Sequence, residues 1–169
     1  MIDLQQIPDN LPSKLSELIK LAVKDLNKVE KMPDYIVDMS IWHDEKSWHK
    51  GLCSVCFAGS VMVCELKVEH GRLLTPYYFN QSLNYKLNAL NEVRKYNIST
   101  ALGYLNVNEY SENLESYNRI EKDINSKILM LRHKTKAYTP TLLEEYNENK
   151  VVFKLNMLYI AKELKKLNL

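Results

Sequence analysis

Glycine and proline are scarce in this chain, at four and five of 169 residues. A strand-and-turn-rich sandwich or barrel needs many tight turns, so that architecture is excluded. An excess of one charge is also missing. Lys+Arg 23 stand against Asp+Glu 21, and the net charge of +2 supplies no overall pull toward nucleic acid or an anionic membrane. No stretch approaches the ~20 continuous apolar residues of a membrane span. Residues 1–6 lack the basic-then-apolar layout of a secretory signal. Cysteine is sparse and odd in number, three in all, which fits reduced thiols in a cytoplasm better than a disulfide scaffold. There is no Gly-x4-Gly-Lys, Gly-x-Gly-x2-Gly or His-Glu-x2-His string, so no cofactor is expected. Asp123, Glu144 and Glu145 are isolated acids that form no paired-carboxylate pattern.

What is present is a helical rhythm. Apolar content of 46% supports one domain over residues 1–169 with a real core. After Pro12 and Ser13, the residues Leu15, Leu18, Ile19, Ala22, Leu26 and Val29 share one face of a 3.6-residue period, and Pro33 stops it. Lys14, Glu17, Lys20, Lys24, Lys28 and Lys31 form its solvated face. Residues 35–42 partly alternate, with Val37, Met39 and Ile41 on one side, and predict a short strand or extended segment. Residues 43–51 form a polar loop ending in Gly51, and residues 53–68 are apolar on nearly every side, as in a buried helix. Gly59 inside that run costs roughly 1 kcal/mol against Ala and marks a close approach by another backbone. His70 and Gly71 end it.

Leu83, Leu87, Leu90 and Val93 mark a further amphipathic helix, and Ser99 caps a short one through Ala101, Leu102 and Leu105. Ser111 caps a longer one, with Leu114, Tyr117, Ile120, Ile124, Ile128 and Leu131 inward. Beyond Thr139 and Pro140, a last helix is expected to turn Val151, Val152, Leu155, Leu158, Tyr159 and Leu164 to the core. The architecture expected is mainly α: a single helical domain of five to six helices, with a small strand pair near residues 35–42.

Chemistry-bearing residues concentrate in one stretch, Trp42-His43 and then Cys53-Ser54-Val55-Cys56-Phe57-Ala58-Gly59-Ser60-Val61-Met62. Three readings compete. His43, His49, Cys53 and Cys56 have the residue types of a zinc site, and Cys-x2-Cys lets two thiolates converge, but all four crowd into fourteen residues. Alternatively Cys56, at a helix N-terminus that lowers its pKa, is a nucleophile with His43 as base and Asp38 or Asp44 as orienting acid. In the third reading Cys56, Gly59, Ser60 and Val63 are small contact residues of a tightly packed helix. Packing is the preferred reading. Lys127, Arg132, His133, Lys134 and Lys136 form a basic cluster, with Tyr138 and the Tyr77, Tyr78, Phe79 triplet as stacking partners for bases. Basic residues gather at helix C-termini anyway, so a solvated helix end is preferred over nucleic acid there.

The string Ile36-Val37-Asp38-Met39-Ser40-Ile41-Trp42-His43, followed by the Cys53–Met62 stretch, resembles a family of small phage and prophage proteins. Its members carry "DMG-x-WH", a variable loop and "C-x-VCLAGAVMA". The similarity extends over most of the chain, including residues 86–94 and 158–164. Ser40 stands in place of the family's Gly, and Phe57 in place of its Leu. The resemblance transfers no activity and no functional residue. It implies a phage accessory protein of the host bacterial cytoplasm. By analogy, such a protein is expected to bind a host protein or a small signalling molecule without catalysis. Tyr77, Tyr78 and Phe79, with the aromatics between Tyr104 and Tyr110, are the expected partner surface. A Cys56–His43 hydrolase and a nucleotide-sequestering protein are the alternatives.

Overall fold

The computed structural model describes residues 3–45, 52–135, 146 and 149–169, without the side chains of Glu45 and of residues 131–135. In chain order the elements are α1 (Leu15–Val29), β1 (Tyr35–Val37), β2 (His43–Glu45), β3 (Cys53–Val55), α2 (Phe57–Cys64), α3 (Gln81–Arg94), α4 (Ile98–Leu105), α5 (Tyr110–Thr135) and α6 (Lys150–Lys166). The protein is mainly α, as its periodicity predicts. The expected strand pair is a three-stranded sheet of order β1-β3-β2.

Residues 53–68 were expected to be one helix, and here the structure differs. Cys53, Ser54 and Val55 form the central strand, parallel to β1 and antiparallel to β2. The helix proper is only Phe57–Cys64. A strand buried on both faces is a continuous apolar run, which periodicity alone does not separate from a buried helix. Gly59 fulfils its expected role. A Cβ there would lie 2.0 Å from the Trp42 carbonyl oxygen, so the chain entering β2 passes directly over this helix.

α1 buries the face the sequence predicts, but its start is held differently. Lys14 occupies the N-cap without a side-chain capping bond, its Nζ donating instead to Asn168. The backbone N–H and hydroxyl of Ser16 donate to the Leu169 carbonyl at 3.3 and 2.5 Å, which satisfies a first-turn donor. The same buried face includes Asp25, whose carboxylate oxygens no hydrogen-bond donor reaches.

α6 lies against α1 with Phe153, Met157, Ile160, Ala161 and Leu164 in the core. Of the predicted inward residues, Leu164 is buried and Tyr159 packs against the core, but Val151, Leu155 and Leu158 are exposed and are corrected. The helix carries two apolar stripes at helical spacing, and ring packing selects one of them. Phe153 meets Phe57 and Tyr146 edge-on, each at 5.6 Å between centroids. Along α5, Tyr117, Ile124 and Ile128 are buried as expected, whereas Leu114 is exposed. The α5 helix begins at Tyr110, which places Ser111 inside it.

The segment before α1 is strapped onto α3. Lys86 Nζ pairs with Asp9 at 2.8 Å and donates to the Leu11 carbonyl at 2.8 Å, while Asn80 donates to the Ile7 carbonyl at 2.7 Å. Hydrogen bonds from Lys86 and Ser82 hold the Asp9 carboxyl below its usual range against the opposing effect of burial.

Candidate functional site

His43 is carried into the interior by β2 and is fully buried. Its Nδ1 lies 2.6 Å from the Arg72 carbonyl, which requires Nδ1 to hold the proton and donate. Burial pushes its pKa below the usual histidine value, so the ring is neutral at pH 7. The sulfur beside it belongs to Cys53, 3.6 Å from Nδ1 and 3.7 Å from Nε2. A sulfur nearly equidistant from both nitrogens lies off the in-plane axis of either, and so rests against the ring rather than in line for proton transfer. Tyr35 packs edge-on to both His43 and His70, at 5.9 and 5.4 Å.

Cys56 has a different task. It is the N-cap of α2, and its sulfur accepts the Gly59 N–H at 3.4 Å. The helix N-terminus and nearby Arg94 favour thiolate, yet full burial outweighs both and raises the thiol pKa above its usual value. The lowered pKa expected from sequence is thereby corrected. Asp38 accepts from the backbone N–H and hydroxyl of Ser40 at 3.0 and 2.6 Å, closing its own turn. Asp44 pairs in register with Ser54. Each member of the predicted triad is thus engaged locally: His43 with Arg72 and Cys53, Cys56 with Gly59, Asp38 with Ser40.

Of the zinc candidates, His43 and Cys53 are in contact, Cys56 caps α2, and His49 lies outside the described residues. Among the described residues no three His, Cys, Asp or Glu side chains converge as a metal would require. Cys53, Cys56 and Cys64 are all buried and none is in a disulfide. A thiol reagent at pH 8 is therefore expected to leave the folded chain unmodified and to label all three sulfurs after denaturation; rapid native labelling of Cys56 would reverse this reading.

In the basic cluster, Lys127 faces Glu163 at 3.8 Å. The side chains of Arg132, His133 and Lys134, together with Lys136 and Tyr138, lie outside the described residues. The predicted aromatic surface divides. Tyr77 and Tyr78 are 82% and 47% exposed and stack edge-on, but Phe79 is 2% exposed and belongs to the core. The tight turn of Pro76–Tyr78 sends successive rings in different directions and turns Phe79 inward.

An open concavity with an aromatic wall lies between α3, α4 and the start of α5. Tyr85, Thr100, Gly103, Tyr104, Val107 and Tyr110 line about 300 Å³. Gln81, Ser82, Leu105 and Asn108 extend it around Tyr85, Tyr104 and Val107. None of these side chains is charged. A Cβ on Gly103 would come within 2.5 Å of the Tyr110 ring, so glycine lets that ring lie against α4 and form one wall. Gln81 donates to the Tyr85 hydroxyl at 2.8 Å and steadies the opposite side. Sequence reading marked Tyr104 and Tyr110 but missed Tyr85 and Gly103. The available signal was a glycine inside an apolar helix just ahead of a tyrosine-rich run.

Among the described residues no helix is long and apolar enough to cross a membrane. Comparison with protein-family models, with curated proteins and with solved structures finds no match.

Proposed function

We propose that this chain is a phage accessory protein of the host bacterial cytoplasm that acts by binding a host macromolecule, without catalysis. The phage origin rests on the sequence resemblance. The binding reading rests on one observation: among the described residues the three cysteines and His43 are buried, while tyrosines wall an open groove. Tyrosine supplies a large, rigid contact area at small entropic cost, which is why it is enriched where partners bind. Tyr77 and Tyr78, just ahead of α3, are a second exposed aromatic pair. Sequestration of a charged nucleotide is less well supported, since the groove lining offers no cation for a phosphate.

The test is capture of a host component by the full chain, compared with the Tyr85→Ala/Tyr104→Ala and Tyr77→Ala/Tyr78→Ala variants. Truncating an aromatic anchor costs about 2 kcal/mol, so the groove variant is expected to lose at least tenfold in affinity. Equal capture by both variants and the parent chain would refute an aromatic binding face. Stabilisation of the chain by a mononucleotide in thermal unfolding would instead favour the nucleotide alternative.

A further inference from the structure

The tyrosine-walled groove lies in a part of the chain that has acids and no bases. Between Lys95 and Arg119 there is no Lys or Arg, although the whole chain holds 23 of them; the charged residues there are Glu109, Glu112 and Glu115. Lys86, next to Tyr85 on α3, is buried and bound to Asp9. Glu115 pairs with Arg119 at 3.8 Å. Glu109 and Glu112 are exposed, and among the described residues neither is in an ion pair. Glu109 stands between Asn108 and Tyr110, which both line the groove. Consecutive Cα atoms are about 3.8 Å apart, so its carboxylate is within a side chain's length of the concavity.

The walls call for a ligand of the same sign as these acids do. The face of an aromatic ring is the negative part of its quadrupole and attracts a cation held within about 6 Å of the centroid. Tyr85 and Tyr104 meet at 6.1 Å with their planes 44° apart, so they form a corner rather than a stack. Gly103 lets Tyr110 supply a third ring. At about 300 Å³ the space is at the small end of ligand sites and suits one long side chain. Arginine fits it better than lysine, because its guanidinium is planar, weakly hydrated and stacks on aromatic faces, with N–H groups left over for a carboxylate.

We propose that this groove recognises a basic segment of a protein partner, taking one arginine side chain against Tyr85, Tyr104 and Tyr110 while Glu109 and Glu112 balance its charge and that of its basic neighbours. The proposal rests on the groove being the binding face and adds the chemistry of what enters it.

Fluorescence anisotropy of the full chain with a labelled Gly-Lys-Gly-Arg-Gly-Lys-Gly peptide tests this. Saturable binding is expected, weakened by salt. Citrulline in place of the arginine keeps the shape and removes the charge, and is expected to lower affinity about tenfold. Tyr85→Ala/Tyr104→Ala and Glu109→Gln/Glu112→Gln are each expected to lose about tenfold, whereas Tyr85→Phe/Tyr104→Phe keeps the rings and the affinity. The glutamine changes fall at exposed sites and should leave the thermal midpoint unchanged. Tetramethylammonium, a free cation, is expected to displace the peptide only where sodium does; displacement at lower concentration assigns the groove to a small ligand and overturns the proposal. So does a parent chain that does not bind the peptide, a citrulline peptide that binds equally, or alanine and glutamine variants that both bind like the parent. If Tyr85→Ala/Tyr104→Ala nonetheless loses its host component, the groove stands as the binding face and only its cationic ligand is refuted.

Discussion

Replacing Gly59 with alanine is expected to cost about 3 kcal/mol of stability, although alanine is the better helix former. The new methyl would sit 2.0 Å from the Trp42 carbonyl oxygen, 3.2 Å from its carbon and 3.0 Å from the Val55 Cβ. Two of these three atoms are backbone, so no rotamer change relieves the clash. Retreat of Trp42 would pull on β2, which pairs with β3 and carries the buried His43. The gain of roughly 1 kcal/mol in helix propensity is too small to offset that displacement. Urea unfolding followed by circular dichroism checks the prediction. Ala58→Gly in the same buried helix serves as the comparison and should cost about 1 kcal/mol through propensity, with a further loss from the missing methyl. A Gly59→Ala chain as stable as the parent would show that Trp42 does not need this approach.

Asp25→Asn is expected to stabilise the protein by about 2 kcal/mol at pH 8 and to leave it nearly unchanged at pH 4. Asp25 is fully buried and no hydrogen-bond donor reaches its carboxylate oxygens. Burial first, and then the facing carboxyl of Glu65, push its pKa from 3.8 up to about 7, while Lys28 and Lys24 only partly oppose them. The nearest cation, Lys28 Nζ, stands 3.9 Å away. The native state therefore holds a proton that the unfolded chain releases near pH 4. Its stabilising effect is complete below about pH 4 and is lost as pH rises through about 7. Asparagine has the same shape and no charge to desolvate, so it removes this descending limb. His43 works in the opposite direction. Burial lowers its pKa, so its contribution is present above the usual histidine value of 6.5 and is lost as pH falls through the folded value. In the Asp25→Asn chain stability should therefore rise with pH across the histidine range, without the fall contributed by Asp25. Denaturant unfolding at pH 4, 6 and 8 checks both limbs, and an equal effect of the substitution at all three would refute the account.

Asp25 also shows how legible the chain was. It falls on the same helical face as Ala22 and Val29, so the spacing alone reveals a charged residue within an apolar stripe. Its consequence does not follow from spacing, because Glu65 reaches it from the C-cap of α2, forty residues further along. The candidate site behaves similarly. The sequence pointed to Gly59 as a point of close contact, and the small residues beside it are indeed packed. It did not distinguish Cys53 from Cys56 as the neighbour of His43. That choice follows from strand register, in which Glu45 lies opposite Cys53 and His43 opposite Val55.

By itself the sequence determined the mainly helical architecture, the buried face of α1, the place of close backbone approach at Gly59 and the lack of a long apolar span. Those properties are local: period, propensity and the absence of a Cβ act within a few residues. Only the tertiary structure decided which apolar stripe of α6 is buried, that the Cys53 run is a central strand, and that Phe79 turns inward while Tyr77 stays out. Each of these depends on which distant surface arrives to cover a residue. Burial is a property of such pairs of surfaces, and one-dimensional periodicity records only one member of each pair.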